Sequence, residues 1–568
     1  MAWRRHWTTA TTTALCVAAC AALGCSDDST TPVGPGTSAT GGTGGQGGAT
    51  GEGGQGGSGE VSNCTELPPT RVIGNWDVVP FQRIEDVFNL GVVAFHELGV
   101  DVRFAVDGVQ VADVQIPTLN ERTGVHEYWF ELVPASYPDG PLSVTATIVP
   151  DCPGHEEREL TPLTLYANSG GSLSNATIRW ADCENGDDAA GDGSETSPYQ
   201  TIEKALVEVG SGGTVYLKAG SCYELTADLD AANYDYWTTV RPAPGVSRAD
   251  VTIVTYGTGS STGRFGQDMI RWQEVGLYKD VDPGYSTLLY LETDHRVWFD
   301  GAELYDARGQ WNGGNLIGGN SPYHVYYTDA LIRDIMNSGY GFGRNVTMDN
   351  IGSDVFRGSS GLTSINLTVN GIDSGSTDAH PDFFQFYHPD STVDNVVVYN
   401  TKVYDMGAQG IFGSAGAVEN VAFVNLLMEK DPADSALTSQ LTGDWNHVLL
   451  WHLTTVDSGF FIREPENLRN FFVQNGVWAS LHAGEATSLD GFTIDHNHVA
   501  GLTWQQTEPM GDHATVGDPL FVDVDADDYR LQASSPAALA GTVLPGVPTD
   551  VDGNPYHGES PSLGAFAQ

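Results

Sequence analysis

Positive charge is what this sequence has least of: 25 Lys and Arg face 73 Asp and Glu over 568 residues, a formal net charge of −48. A field of that sign repels phosphate backbones and anionic headgroups, which excludes nucleic acid as a partner. It also repels a polyuronate, unless Ca²⁺ or a local arginine stands between the two sets of carboxylates. Most of the acid reads as a solvated surface that keeps the chain soluble. Long apolar runs are missing too. The segment TTATTTALCVAACAALG near the N-terminus is broken by threonine and too short to span a bilayer. Cysteine is sparse, seven in all, and no C-x-x-C spacing points to a cysteine zinc module.

What is present begins with an export signal: MAWRRHW supplies the basic part, the threonine-rich segment the apolar part, and ALGC the end. ALGC resembles the bacterial lipobox, which implies that residues 1–24 are removed and that Cys25 is diacylated. The expected location is the cell envelope, with the lipid in the outer membrane and the protein facing the surface. Residues 25–63 are rich in Gly, Ser and Thr, have little to bury, and read as a flexible tether with a reach on the order of 30 to 40 Å. Cys16 and Cys20 leave with the signal, so Cys64, Cys152, Cys183 and Cys222 remain. Of the three possible pairings, Cys64 with Cys152 and Cys183 with Cys222 is the expected one, because each pair then brackets one unit.

The first unit, residues 64–168, alternates apolar and polar residues in short runs. VRFAVDGVQVADV places two runs around Asp107-Gly108, a hairpin signal, and Leu142, Val144, Ala146 and Ile148 share one face of another run. An antiparallel β-sandwich follows, whose pattern resembles the immunoglobulin-like modules of bacterial surface proteins. The second unit, residues 177–568, opens with Ile202, Ala205, Leu206 and Val209 at helical spacing, ended by Gly210. A short helix of this kind is expected to cap an open apolar end. Thereafter RVWFDG, HVYYTD, NVTMDN, INLTVN, NVVVYN, NVAFVN, HVLLWH, NFFVQN and FTIDHN recur at steps of 20 to 30 residues, which suits one coil of a β-solenoid each. Aligned on their sixth residues, they stack Asn350, Asn370, Asn400, Asn425, Asn475 and Asn497 into an expected amide ladder. With the opening GSETSPYQTIEKAL and the closing GDPLFVDVDADDYRLQASSPAAL, these repeats resemble the right-handed parallel β-helix proteins of the pectin-lyase-like superfamily. The expected fold class is therefore all-β, a right-handed parallel β-helix preceded by a small sandwich. The resemblance implies exported carbohydrate-active proteins, among other roles.

A β-helix displays outward side chains in columns, one per coil, about 4.8 Å apart. DVFRG, DFFQFY, QGIFGS and GFFIRE align so that Phe356, Phe384, Ile411 and Ile462 point inward and Arg357, Gln385, Phe412 and Arg463 form an outward column. Beside it the longest repeat step carries DAHPDFFQFYHPD, the densest Asp/His cluster of the chain, on an expected exposed loop. Here Asp378 and Asp382 are expected to hold Ca²⁺, His380 and Asp382 with Arg357 and Arg463 to catalyse, and Gln385, Tyr387, His388 and Phe412 to bind substrate. The D-x-H order at Asp378 and His380 resembles an element of alginate C5-epimerases. The expected function is thus a lyase or epimerase, acting as a monomer on an acidic extracellular polysaccharide. Two alternatives stand beside it: a glycoside hydrolase using Asp354 and Asp382, and a non-catalytic glycan-binding or adhesive protein. The acidic stretches near residues 185–197 and 522–528 read as solvated loops, and His447, His452, His482, His496 and His498 as mainly structural. Radiolabelled fatty acid should enter the wild-type chain in a bacterial host and fail to enter Cys25→Ala.

Overall fold

The computed structural model describes residues 68–225, 234–255, 264–265, 268–279, 287–291, 295–307, 315–318, 324–336, 341–373, 375, 381–431, 439–463, 467–483, 491–500, 511 and 513–568. Its first part is two sheets packed face to face, antiparallel except where Arg83–Ile84 runs parallel to Leu163–Ala167. One orders Ile73–Trp76, Phe88–Phe95, Val125–Leu132 and Thr118–Asn120; the other orders Arg83–Ile84, Leu163–Ala167, Gly140–Pro150, Val100–Val106 and Val109–Val114. Asp107 and Gly108 both take positive φ, 49° and 78°, the two-residue turn that matches the strand twist. The alternating residues Val102, Phe104 and Val106 and Leu142, Val144, Ala146 and Ile148 meet in the core between the sheets.

The rest is a parallel β-helix, built from one sheet path of 25 strands that bends around three faces and a further three-stranded parallel sheet. Face A stacks Thr214–Leu217, Thr238–Pro242, Ile270–Gln273, Val297–Asp300 and Val325–Thr328, then residues 342–344, 363–365, 397–399, 422–424, 449–451 and 472–474. Face B follows face A in each coil, one residue later in the coils from Phe342–Ile351 to Asp444–Val456, and ends with Val477–Trp478, His498–Val499 and Thr515–Val516. Face C holds Arg264–Phe265, Thr287–Leu291 and Asn315–Gly318 in the early coils. In later coils it holds Phe356–Arg357, the start of Phe384–Gly407, the start of Ile411–Lys430, Ser439–Leu441, Gly459–Ile462 and Ser480–Ala483. At the first coil the helix Ile202–Val209, whose Thr201 hydroxyl accepts from the Lys204 amide, turns its buried stripe onto the apolar interior.

The corner between faces A and B is one residue long and left-handed in every described coil from Glu274 onward: Glu274, Gly301, Asp329, Asn345, Asn366, Asn400, Asn425, His452, Asn475 and His496, with φ between 50° and 62°. That conformation costs most L-residues about 1–2 kcal/mol, and Gly, Asn, Asp and His tolerate it best. Asn345 donates to Asp329 (2.9 Å), Asn366 to Asn345 (3.0 Å), Asn400 to Asn366 (3.3 Å) and Asn425 to Asn400 (2.9 Å), so the polar column, exposed at Asp329 and buried by Asn400, satisfies itself along the axis. This corrects the expected ladder at three positions. Asn350 and Asn370 lie one face further on, exposed, and donate to Asp334 and Asp349 instead. Asn497 points inward and donates to the Val473 and Asp495 carbonyls.

Sandwich and β-helix are fused along face A. Ile73, Val93, Phe95 and Val125 pack on the outward residues Ile365, Val397, Tyr399, Ala422, Val424, Leu449, Trp451 and Phe472, together with Leu544 and Val547 from the C-terminal segment. Asn395 exchanges two hydrogen bonds with Gly74 (3.0 and 2.9 Å), and Arg158 grips Asp394 with both guanidinium nitrogens (3.0 and 3.1 Å). Tyr529, Val551, Ala565 and Phe566 cover face B at Leu427 and Val456. The disulfide Cys183–Cys222 forms at a Cα separation of 5.6 Å. Cys152 is disulfide-bonded as well, and both Cys64 and Cys25 lie outside the described residues.

Asn425→Ala should destabilise the protein by about 2–4 kcal/mol in denaturant melts, because it strands the Asn400 amide oxygen and the Thr549 carbonyl at a left-handed corner. Asn370→Ala, at an exposed position of the same repeat motif, should change stability by less than about 0.5 kcal/mol.

Candidate functional site

Faces A and B are covered in the C-terminal coils, whereas face C has no comparable cover among the described residues. Its outward column is set by strand register: Arg357 pairs with Gln385, Gln385 with Phe412, Phe412 with Gln440, Gln440 with Phe461 and Phe461 with His482. These six are exposed or partly exposed, while Phe356, Phe384, Ile411, Ser439, Phe460 and Leu481 at the alternate positions are buried. Five coil steps make a ladder roughly 24 Å long. From Gln385 onward it alternates amide, aromatic, amide and aromatic, and the Phe461 and His482 rings lie 4.6 Å apart.

Arg463 is not in this column. Phe460, not Ile462, is the inward partner of Ser439, so the register of that coil differs by two residues from the sequence alignment, and Phe461 occupies the place expected for Arg463. A two-residue slip keeps the facing of every side chain, so both Ile462 and Phe460 are buried. Exposed Arg463 sits one outward position further along, its guanidinium 5.5 Å from the Phe461 ring centre. The sequence reading missed Gln440, Phe461 and His482. The pattern that marks Gln440 is the short alternation Ser439-Gln440-Leu441, concealed behind the longer segment that precedes it.

At the opposite end of the ladder stand two carboxyl groups. Asp354 and Asp382 each lie two residues before the paired Phe356 and Phe384, hence at equivalent places on successive coils. The Asp382 amide donates to Asp354 Oδ1 (3.2 Å), Arg357 Nε donates to Asp354 Oδ2 (3.1 Å), and Gln385 Nε2 donates to Asp382 Oδ2 (2.9 Å). Burial first, and the neighbouring Asp382 charge after it, push the Asp354 carboxyl up to about 6 against the pull of Arg357. Arg357 itself extends into solvent, its side chain 70% exposed, while that of Asp354 is 4% exposed.

Asp382 was expected on an exposed loop as a calcium ligand, and the structure instead buries it completely. Its backbone is tied into the coil by the bond to Asp354, which removes it from the loop. Asp378 and His380 lie outside the described residues. Tyr387 and His388 continue the strand Phe384–Gly407, with their side chains outside the description. Gln385 and Phe412 take the column places expected of them. A cleft of about 760 Å³ lies elsewhere, between the sandwich and face A, lined by Trp76, Phe81, Arg158, Arg296, Tyr326 and Phe342 among others. Its arginines are already engaged by Asp394 and Asp268, and of the two carboxyls in its lining, Glu159 and Asp394, the second is the one that Arg158 holds.

No protein-family model and no curated protein sequence matches the chain. Among solved structures, the GH136 lacto-N-biosidase from Eubacterium ramulus is similar at 11% identity and a TM-score of 0.27, over 60% of this chain and 68% of that one. The catalytic domain of a GH87 alpha-1,3-glucanase in complex with nigerose is similar at 11% identity and a TM-score of 0.24, over 76% and 91%. Likeness at this level carries no argument about activity, and the fold rests on the strand topology itself.

A carboxyl whose folded pKa is raised from 3.8 to about 6 binds its proton more tightly in the folded state. The cost of ionising it builds up as pH rises from about 4 to about 6 and persists above, amounting to about 2–3 kcal/mol. Asp354→Asn keeps the acceptor for the Asp382 amide and removes that cost. Thermal melts should show the variant gaining stability over wild type at pH 8 and little or none at pH 4.

Proposed function

We propose that face C binds a polysaccharide chain lengthwise and that Asp354 and Asp382 act on one of its glycosidic bonds, making the protein a glycoside hydrolase. The observation that carries this reading is a carboxyl raised to about 6, stacked one coil from a second carboxyl, at the end of an alternating amide and aromatic ladder. A carboxyl with that pKa is still partly protonated near neutral pH and is able to donate to a leaving oxygen. The second carboxyl, Asp382, is buried and held by Gln385 Nε2, so it serves the anomeric side, as nucleophile or as base toward water, once that amide turns to the sugar. Aromatic faces stack on sugar rings, and the amides of Gln385 and Gln440 present donors and acceptors between them. Arg357 lies over Asp354 and is mostly exposed, so an incoming sugar that engages the guanidinium also uncovers the acid. Exposed arginines near both ends of the ladder, Arg357 and Arg463, favour a chain that carries some negative charge in spite of the acidic surface.

The lyase or epimerase reading needs His380 beside Asp382, Arg357 and Arg463, and the calcium reading needs Asp378 beside Asp382; His380 and Asp378 lie outside the described residues. Hydrolysis is favoured because both of its carboxyls, Asp354 and Asp382, stand at equivalent described places on successive coils. Incubation with a panel of neutral and acidic glycans separates the outcomes. New reducing ends without ultraviolet-absorbing products support hydrolysis, unsaturated products identify a lyase, and retention without turnover identifies a binder. On the glycan that is turned over, Asp354→Asn should lower kcat by at least about 100-fold. Phe412→Ala should raise KM about 5- to 30-fold, consistent with the loss of one ring contact.

A further inference from the structure

At the seam between sandwich and β-helix, four side chains with ligating atoms converge. His96 and Glu97 follow the strand Phe88–Phe95, and His155 lies between the strands Gly140–Pro150 and Arg158–Glu159. His447 comes from the β-helix strand Asp444–Val456. Their side chains are 0%, 2%, 2% and 1% exposed. Ligating atoms of His96, Glu97 and His155 lie within 4.8 Å of one another, and His447 Nε2 is 2.9 Å from Glu97 Oε2.

The hydrogen-bond directions around His447 are fixed from behind. Asn420 Nδ2 donates to Asp394 (2.7 Å), so Asn420 turns its oxygen to His447 Nδ1 (3.0 Å), and that nitrogen carries the hydrogen. His447 Nε2 of a neutral ring therefore aims a lone pair at a carboxylate oxygen. Such a contact needs a cation between the two atoms, either a proton or a metal ion. An imidazole held through its far N–H by a carbonyl oxygen is also how ligating histidines are oriented. We propose that His96, Glu97, His155 and His447 bind one divalent transition-metal ion of the zinc type, joining the sandwich to the β-helix. Imidazole nitrogens with one carboxylate form a donor set that suits Zn²⁺, and the four come from both units, so the ion would close the seam.

The ion has a definite cost. The Thr70 hydroxyl lies 2.9 Å from both His96 Nε2 and His155 Nδ1 and also reaches Glu97, so it stands where the donors converge and must rotate aside. His96 Nδ1 gives up the Leu98 amide (3.2 Å), and His155 Nδ1 gives up the Thr70 amide (3.1 Å). The position of His447 offers a clean variant. It belongs to a second left-handed corner column that includes Asn395, Asn420 and Asn470, so His447→Asn installs the residue that this corner already accepts in neighbouring coils.

The test is zinc content and melting of the purified full chain after exposure to excess ZnCl₂ and desalting. The expected result is about one zinc per chain in wild type, with Tm raised by zinc and lowered again by chelator. His447→Asn should fold, lose at least about ten-fold in zinc affinity and show the same Tm with zinc as with chelator. His513→Ala, which disables the partly exposed Asp495–His496–His513 group, should keep the zinc. Wild type that retains no zinc and melts identically in both conditions would mean that a proton alone joins His447 to Glu97, and would overturn the proposal. So would zinc that survives His447→Asn and is lost in His513→Ala.

Discussion

A coil that must reverse direction at a single residue has to place that residue in the left-handed region, and the rest of this fold depends on meeting that demand coil after coil. Most side chains that accept the conformation are short and polar, and from Asn400 to Asn475 they are buried, so they must also find hydrogen bonds. Stacking them along the axis does both, since each amide receives from one coil and gives to the next. The stack in turn locks the register of neighbouring coils, and with the register fixed, outward residues fall into straight columns. The ladder on face C, the apolar strip on face A and the pair of carboxyls at equivalent places on successive coils all follow from that one constraint.

The division of labour among the faces comes from what is added to them. Face A is apolar where the sandwich and the C-terminal segment lie on it, with Trp451 and Tyr399 wholly buried by that contact. Face B is closed by Tyr529 and Phe566. Face C keeps its mixed amide and aromatic column in contact with solvent. A rigid scaffold thus holds the ladder side chains on strands, with Asp354 and Asp382 two residues before them, and the spacing of the ladder is set by the backbone hydrogen bonds between coils.

The β-helix was legible in the sequence because repeat length, turn residues and alternation all agreed. The detail of the amide ladder was not, for a specific reason. The pattern Asn-x-x-x-x-Asn marks two corners with a strand between them, but that strand differs from coil to coil. Asn345 and Asn350 bracket a face B strand, whereas Asn395 and Asn400 bracket a face A strand. Aligning the motifs by their last residue therefore mixes two corners. The outward column was legible from Arg357 to Phe412, where DVFRG, DFFQFY and QGIFGS share a register. It failed at Arg463 because alternation has a period of two and cannot detect a two-residue slip. Burial of Asp382 could not be read from composition, since a dense polar stretch looks the same whether it faces water or its own backbone. The cluster of His96, Glu97, His155 and His447 was invisible because its members are up to 351 positions apart in sequence and meet only when the units dock.

The C-terminal segment is bound to the corner column by its backbone. The Gly564 carbonyl meets His452, the Thr542 carbonyl accepts from Asn475, and the Thr549 carbonyl accepts from Asn425. Face A is therefore sealed from two stretches far apart in sequence, the sandwich before the β-helix and Leu544 and Val547 after it. While the chain emerges in order, the central coils have an oily strip and unsatisfied amides that nothing yet shields. The central coils therefore reach their full stability only once residues 542–566 have docked, so loss of that segment bares an apolar strip and strands buried amides many coils away from the cut.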